Sequence, residues 1–89
     1  MNVTIKLFST LREALGEADF ELDLGALNGE VTTWDVAAIK TALSKRGPAW
    51  RDALNQPNLV HALNHKVVFI DAIVADGDEL AFFPPMTGG

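Results

Sequence analysis

Two glycines, Gly88 and Gly89, close the chain after Pro84-Pro85-Met86-Thr87. Glycine has no Cβ, so these residues make the thinnest peptide a chain can offer and take almost any backbone angle. A tail of this kind can thread a narrow channel into another protein's active site. The one functional group it delivers there is the terminal carboxylate of Gly89. The bland alternative is a loose terminus with incidental glycines, yet at an average usage of about 7% two terminal glycines arise by chance in roughly 0.5% of chains. Other candidates for chemistry are weaker. His61 and His65 are four residues apart but fall on a strand and its turn, and zinc would need further ligands that a chain without cysteine does not offer. Asp76-Gly77-Asp78-Glu79 lacks the spacing and terminal Glu of a calcium loop and reads as a solvated turn. Ser9 and Ser44 have no evident base and orienting partner. An active site built wholly from this chain is not expected.

The elements that must position such a tail are those of one small domain. The chain has 89 residues, of which 48% are hydrophobic, too many for a disordered segment. No apolar run approaches the roughly 20 residues of a membrane span, and the first residues do not resemble a signal peptide. Cysteine is absent, so there is no disulfide framework, and with no export signal either a cytoplasmic location is expected. Twelve acids against seven bases give a net charge of -5, which argues against nucleic acid as a partner and for a basic protein surface.

Val3, Ile5 and Leu7 alternate with Thr4, Lys6 and Phe8, which predicts a first strand over 3–9. Thr10 and Glu13 form a capping-box pattern and Gly16 suits a helix end, so a short helix follows. Residues 18–24 alternate again, with Phe20, Leu22 and Leu24 inward, and form a second strand antiparallel to the first. Gly25 and Asn28-Gly29 mark a loop. Thr33 is the expected N-cap of the main helix, with Asp35 in its first turn and Val36, Ile39 and Leu43 on its apolar face. Gly47-Pro48 ends it, and a short helical piece spans 48–55. Strands are expected at 59–63, 67–70 and 79–83, with turns at Asn64-His65 and Asp76-Gly77-Asp78 and a stop at Pro84-Pro85.

Strand, strand, helix and three more strands make an α+β fold in which one main helix covers one face of a mixed five-stranded sheet. This is the pattern of the β-grasp, or ubiquitin-like, roll. Residues 1–85 form that domain and 86–89 a flexible tail. In the β-grasp fold the first and last strands are adjacent and parallel. Leu80 and Phe82 then point inward, and Phe8 and Phe83 lie together on the outer face as an aromatic docking patch at the root of the tail. The alternative is that a loop covers one of the two rings.

The run Asp76-Gly77-Asp78-Glu79-Leu80-Ala81-Phe82-Phe83-Pro84-Pro85-Met86-Thr87-Gly88-Gly89 resembles the C-terminal signature of the small subunit of molybdopterin synthase, the MoaD-type sulfur carriers of the MoaD/ThiS family. Lys6-Leu7-Phe8 with Leu11-Arg12-Glu13-Ala14-Leu15-Gly16 is similar to the family's first strand and short helix, and Ala62-Leu63-Asn64 to its strand-to-turn step. The resemblance implies a carrier that is no enzyme on its own but the sulfur-carrying subunit of a sulfurtransferase. An E1-like adenylyltransferase would use ATP to adenylate Gly89, and a sulfur donor would convert the acyl adenylate to a thiocarboxylate. The carrier itself would bind no cofactor. Gly88, Thr87 and Met86 would thread into the large synthase subunit while Phe8, Phe83, Pro84 and Pro85 dock against it, and sulfur would pass to cyclic pyranopterin monophosphate. The family also implies a heterotetramer of two small and two large subunits. The competing implications are a carrier for thiamine or another thio-cofactor, a ubiquitin-like protein modifier, and a plain binding module.

Overall fold

Alternation in the first residues becomes strand β1 (Asn2–Leu7), with Val3, Ile5 and Leu7 buried and Thr4 and Lys6 on the opposite face. The computed structural model describes residues 1–27 and 29–84. Asn28 and the stretch from Pro85 to Gly89, which holds Gly89 and the expected threading residues Met86, Thr87 and Gly88, lie outside the described residues. The chain continues through helix α1 (Thr10–Leu15), β2 (Asp19–Asp23), helix α2 (Leu24–Leu27), β3 (Trp34–Asp35), helix α3 (Val36–Ser44) and helix α4 (Pro48–Leu54). Strands β4 (Val60–Leu63), β5 (Lys66–Val68), β6 (Ile73–Val74) and β7 (Glu79–Phe83) complete it.

Five strands form one mixed sheet in the order β2-β1-β7-β4-β5, and β3 and β6 form a separate antiparallel pair. As expected, β2 runs antiparallel to β1, and β1 lies parallel to β7 in the centre. The helices close one face. Val36, Ile39 and Leu43 of α3 join Val3, Ile5, Leu7, Leu22, Leu80 and Phe82 of the sheet in one apolar cluster. A fully buried aliphatic or aromatic side chain is worth about 1.5–3 kcal/mol relative to exposure, so this cluster dominates the stability.

Local details depart from expectation for physical reasons. The N-cap of α1 is Ser9, at φ 57°, not Thr10, and no side-chain cap bond forms there. The Ser9 carbonyl already accepts from Arg12 N–H at 3.1 Å, which starts the helix one residue early and makes the Thr10–Glu13 box impossible. The N-cap of α3 is Asp35, whose Oδ1 accepts from Ala38 N–H at 2.8 Å, in place of Thr33. Pairing of Trp34 with Val74 keeps that residue extended and delays the helix. Leu24 is buried as expected but opens α2 instead of ending a strand. The expected strand over 67–70 stops at Val68, because the Ile70 and Ala72 carbonyls turn away to accept from Ala37 and Val36 N–H at the start of α3. Phe20 is only half-buried and meets Trp50 edge-on at 5.8 Å. Arg46 lies 4.6 Å from both rings and 3.4 Å from Glu17, tying the end of β2 to the helical layer.

His61 is the buried polar residue of the core, at 8% exposure. Its ring meets Phe82 edge-on at 5.7 Å and its Nε2 has no hydrogen-bond partner among the described residues. Burial, and then the Lys40 ammonium on α3, hold its pKa below the ordinary imidazole value of 6.5. The folded state therefore binds a proton on His61 less readily than the unfolded chain does. Its stability is complete above about pH 6.5 and declines as pH falls below that value, until the folded pKa is reached. The expected result is a melting temperature that falls with acidification more steeply in the native chain than in His61→Leu. Parallel pH profiles for the two proteins would exclude His61 as the source of acid sensitivity.

Candidate functional site

The face of the sheet away from the helices carries Phe8 and Phe83. Their rings stack at 4.6 Å between centroids with planes only 6° apart. Two features of the backbone produce this. The Phe8 N–H donates to the Phe82 carbonyl at 3.3 Å, which extends the parallel β1–β7 ladder by one step beyond Leu7. Strand alternation then puts Phe83 on the same face as Phe8 and turns Leu80 and Phe82, both fully buried, toward the helices. Phe8 remains 37% exposed and Phe83 is half-buried, and neither ring is fully covered by the described residues. Pro84 follows directly and is also half-buried. Of the expected docking residues, Phe8, Phe83 and Pro84 are thus together at the root of the tail, while Pro85 lies outside the described residues.

Beside the stacked rings is a shallow depression of about 260 Å³. Its floor is Ala81 and Ala62, which are register partners on β7 and β4. Small side chains there leave room that larger ones would fill. Val67 forms one wall, and Lys6, Glu79 and His65 form a polar end. Lys6 Nζ lies 3.4 Å and His65 Nε2 3.5 Å from the Glu79 carboxylate. Exposed pairs of this kind contribute about 0–1 kcal/mol each, so they shape the rim more than they stabilise the fold. The alanine floor escapes sequence reading because small residues carry no hydropathy signal. Its one clue is that positions 81 and 83 share a face.

The acidic turn does structural work. Asp76 Oδ1 accepts from Asn2 N–H at 2.7 Å, and Asp78 accepts from Ala75 N–H at 2.7 Å and from Asn64 Nδ2 at 3.0 Å. Gly77, at φ 83°, donates its N–H to the Asn2 carbonyl. Asn64 Oδ1 accepts in turn from Glu79 N–H at 2.9 Å. Asn64 and His65 both have positive φ, as a tight hairpin turn of the I′ type requires, so the hairpin is fastened to the start of β7. Among the described residues no cluster of His, Cys, Asp and Glu is placed to hold a metal ion.

The model of the ThiS family matches residues 5–89, nearly the whole chain. The chain belongs to the ThiS family. A relative from Escherichia coli named molybdopterin synthase sulfur carrier subunit is 32% identical over 87 residues, spanning 98% of this chain and 99% of its own length. The crystal structure of the small archaeal modifier protein SAMP1 from Haloferax volcanii has a TM-score of 0.76 and 26% identity, with both chains covered completely. Subunits 1 and 2 of the molybdopterin-converting factor of Helicobacter pylori have been solved as a complex. One chain of it matches at a TM-score of 0.65 and 19% identity over the full length of both, a likeness of fold. The ubiquitin-like β-grasp architecture expected of the ThiS chain is therefore the one it has, and the Escherichia coli relative is named a carrier subunit. No helix among its described residues is long and apolar enough to cross a membrane.

Proposed function

We propose that this chain is the sulfur carrier of a molybdopterin synthase, with Gly89 as the point of covalent attachment. An E1-like adenylyltransferase joins the Gly89 carboxylate to the AMP moiety of ATP and releases pyrophosphate. The acyl adenylate is reactive because AMP is a far better leaving group than oxide. A sulfur donor supplies sulfide, AMP departs, and a thiocarboxylate remains. The tail enters the large synthase subunit, and the thiocarboxylate sulfur attacks an oxygen-bearing side-chain carbon of cyclic pyranopterin monophosphate. The carbon–oxygen bond at that carbon breaks and the oxygen leaves with its electron pair, and hydrolysis of the resulting thioester leaves the sulfur on the product and returns the Gly89 carboxylate. Gly89 acts as neither acid nor base. Gly88 keeps the path slim, and Thr87 and Met86 precede it as threading residues, Met86 being apolar and adaptable.

The observation that carries this reading is the stacked Phe8–Phe83 pair directly before Pro84, an exposed aromatic anchor at the root of a Gly-Gly tail, in a chain whose full-length relative is named for this role. A second reading, a protein modifier joined through Gly89 to lysines, is favoured by the likeness to the archaeal modifier protein. The two differ at the acceptor, sulfide against a lysine amine. Intact mass after incubation with the activating enzyme, ATP and a sulfur donor separates them. A carrier gains the mass of one oxygen-to-sulfur exchange. A modifier accumulates as conjugates with other proteins, and a plain binding module leaves with its mass unchanged.

A further inference from the structure

We propose that Phe69 is a second anchor for the large synthase subunit, filling an apolar pocket beside the channel that takes the tail. The inference rests on the carrier reading above and adds a contact that the tail chemistry does not require. Phe69 is 83% exposed, more than any other large apolar residue described. Its position follows from topology. Strands β1 and β7 run parallel, so they end together at Phe8 and Phe83. Strand β4 is antiparallel to β7 and begins at that same end, with Val60 opposite Phe83. Strand β5 is antiparallel to β4 and finishes there with Val68, the residue before Phe69. The stacked rings, Val60 and Phe69 therefore line one end of the sheet, the end from which the chain continues to Pro84.

Distance makes the contact hard to avoid. Phe69 is two strand spacings from Phe83, or about 10 Å. The five residues after Pro84 reach at most about 18 Å when fully extended. A protein that draws Gly89 into a site must therefore press closely against this end of the sheet. A standard interface covers about 800 Å² on each partner, a disc of radius roughly 16 Å, and such a footprint around the tail root includes Phe69. The surface between is continuous. A second depression of about 260 Å³ runs between Val60, Val67 and Phe69, and Val67 also walls the depression beside the stacked rings.

The presentation of Phe69 is fixed as well. Its carbonyl accepts from Ala72 N–H at 3.1 Å, and the next carbonyl, of Ile70, accepts from Ala37 N–H at 2.9 Å. The turn is thereby held to the first residue pairs of α3, so little backbone ordering remains to oppose binding. Val67, Val68, Phe69 and Ile70 form an uncharged run, which calls for an apolar pocket on the partner.

The test is calorimetric titration of the large synthase subunit with the native chain, Phe69→Ala and Phe83→Ala, with thermal melting and sedimentation of each. Phe69→Ala is expected to melt like the native chain and to bind about 10–30-fold more weakly. The same factor is expected when both chains lack Gly88 and Gly89, because the contact is separate from the tail. Binding of Phe69→Ala within twofold of native, with Phe83→Ala weakened, overturns the role of Phe69 and leaves the carrier reading standing. An effect confined to self-association of the chain assigns the surface to a second copy and also overturns the proposal. Native affinity in both variants and in the tail-less chain removes the docking reading altogether.

Discussion

Deleting Gly89 is expected to abolish sulfur transfer while leaving the melting temperature unchanged. The truncated chain still ends in a glycine carboxylate, that of Gly88, so the reactive group is chemically the same. What changes is reach. One residue supplies at most about 3.3–3.6 Å of extended chain. A reacting group displaced by about 1 Å can already cost a hundredfold in rate, so a shift three times larger removes transfer from any measurable range. Among the described residues the apolar cluster ends with Phe82 and the β7 ladder with Phe83, and loss of a terminal residue ordinarily costs a domain little stability. Gly89→Ala is the informative companion. It keeps the reach and adds one Cβ, so partial activity there separates length from slimness. Molybdopterin formation by the truncated chain at the native rate would end the carrier reading.

The parts of this molecule that were legible in the sequence are those where a buried face imposes a period. Val3, Ile5 and Leu7, and again Leu80 and Phe82, alternate against one core, so their strands and the direction of each side chain could be read directly. The Phe8–Phe83 pair needed one more step, the adjacency of the first and last strands, which came from the fold pattern. The two-residue strands at Trp34–Asp35 and Ile73–Val74 are too short to show a period. Phe69 and Ile70 misled for the opposite reason. They are apolar and follow a strand, but the start of α3 needs carbonyl acceptors, and the backbone leaves the sheet to provide them. Of the candidate site, the two aromatic residues were visible as types, whereas the alanine floor and the Asn64 link to β7 depend on register across strands distant in sequence.

Phe82 and Phe83 are neighbours, and their replacement by alanine is expected to have opposite consequences. Phe82 is fully buried among Ile5, Leu80 and the helices and meets His61 edge-on. Truncating a buried Phe costs about 3–5 kcal/mol, a large share of the roughly 5–15 kcal/mol that holds a domain together. Phe82→Ala should therefore melt far below the native chain. Any loss of binding should track the unfolded fraction and recover on cooling. Phe83 is half-buried and stacks on Phe8, and a stacked aromatic pair contributes about 0.5–1.5 kcal/mol beyond its buried area. Phe83→Ala should thus remain folded with a modest drop in melting temperature. At an interface the balance reverses, because a central aromatic anchor is worth about 2 kcal/mol or more, close to 30-fold in affinity. Melting curves beside titrations of the large subunit distinguish the two positions. If Phe83→Ala unfolds while Phe82→Ala only weakens binding, the two faces of β7 have been assigned the wrong way round. If Phe83→Ala binds as tightly as the native chain, the stacked pair is a surface ornament and the tail is positioned by other contacts.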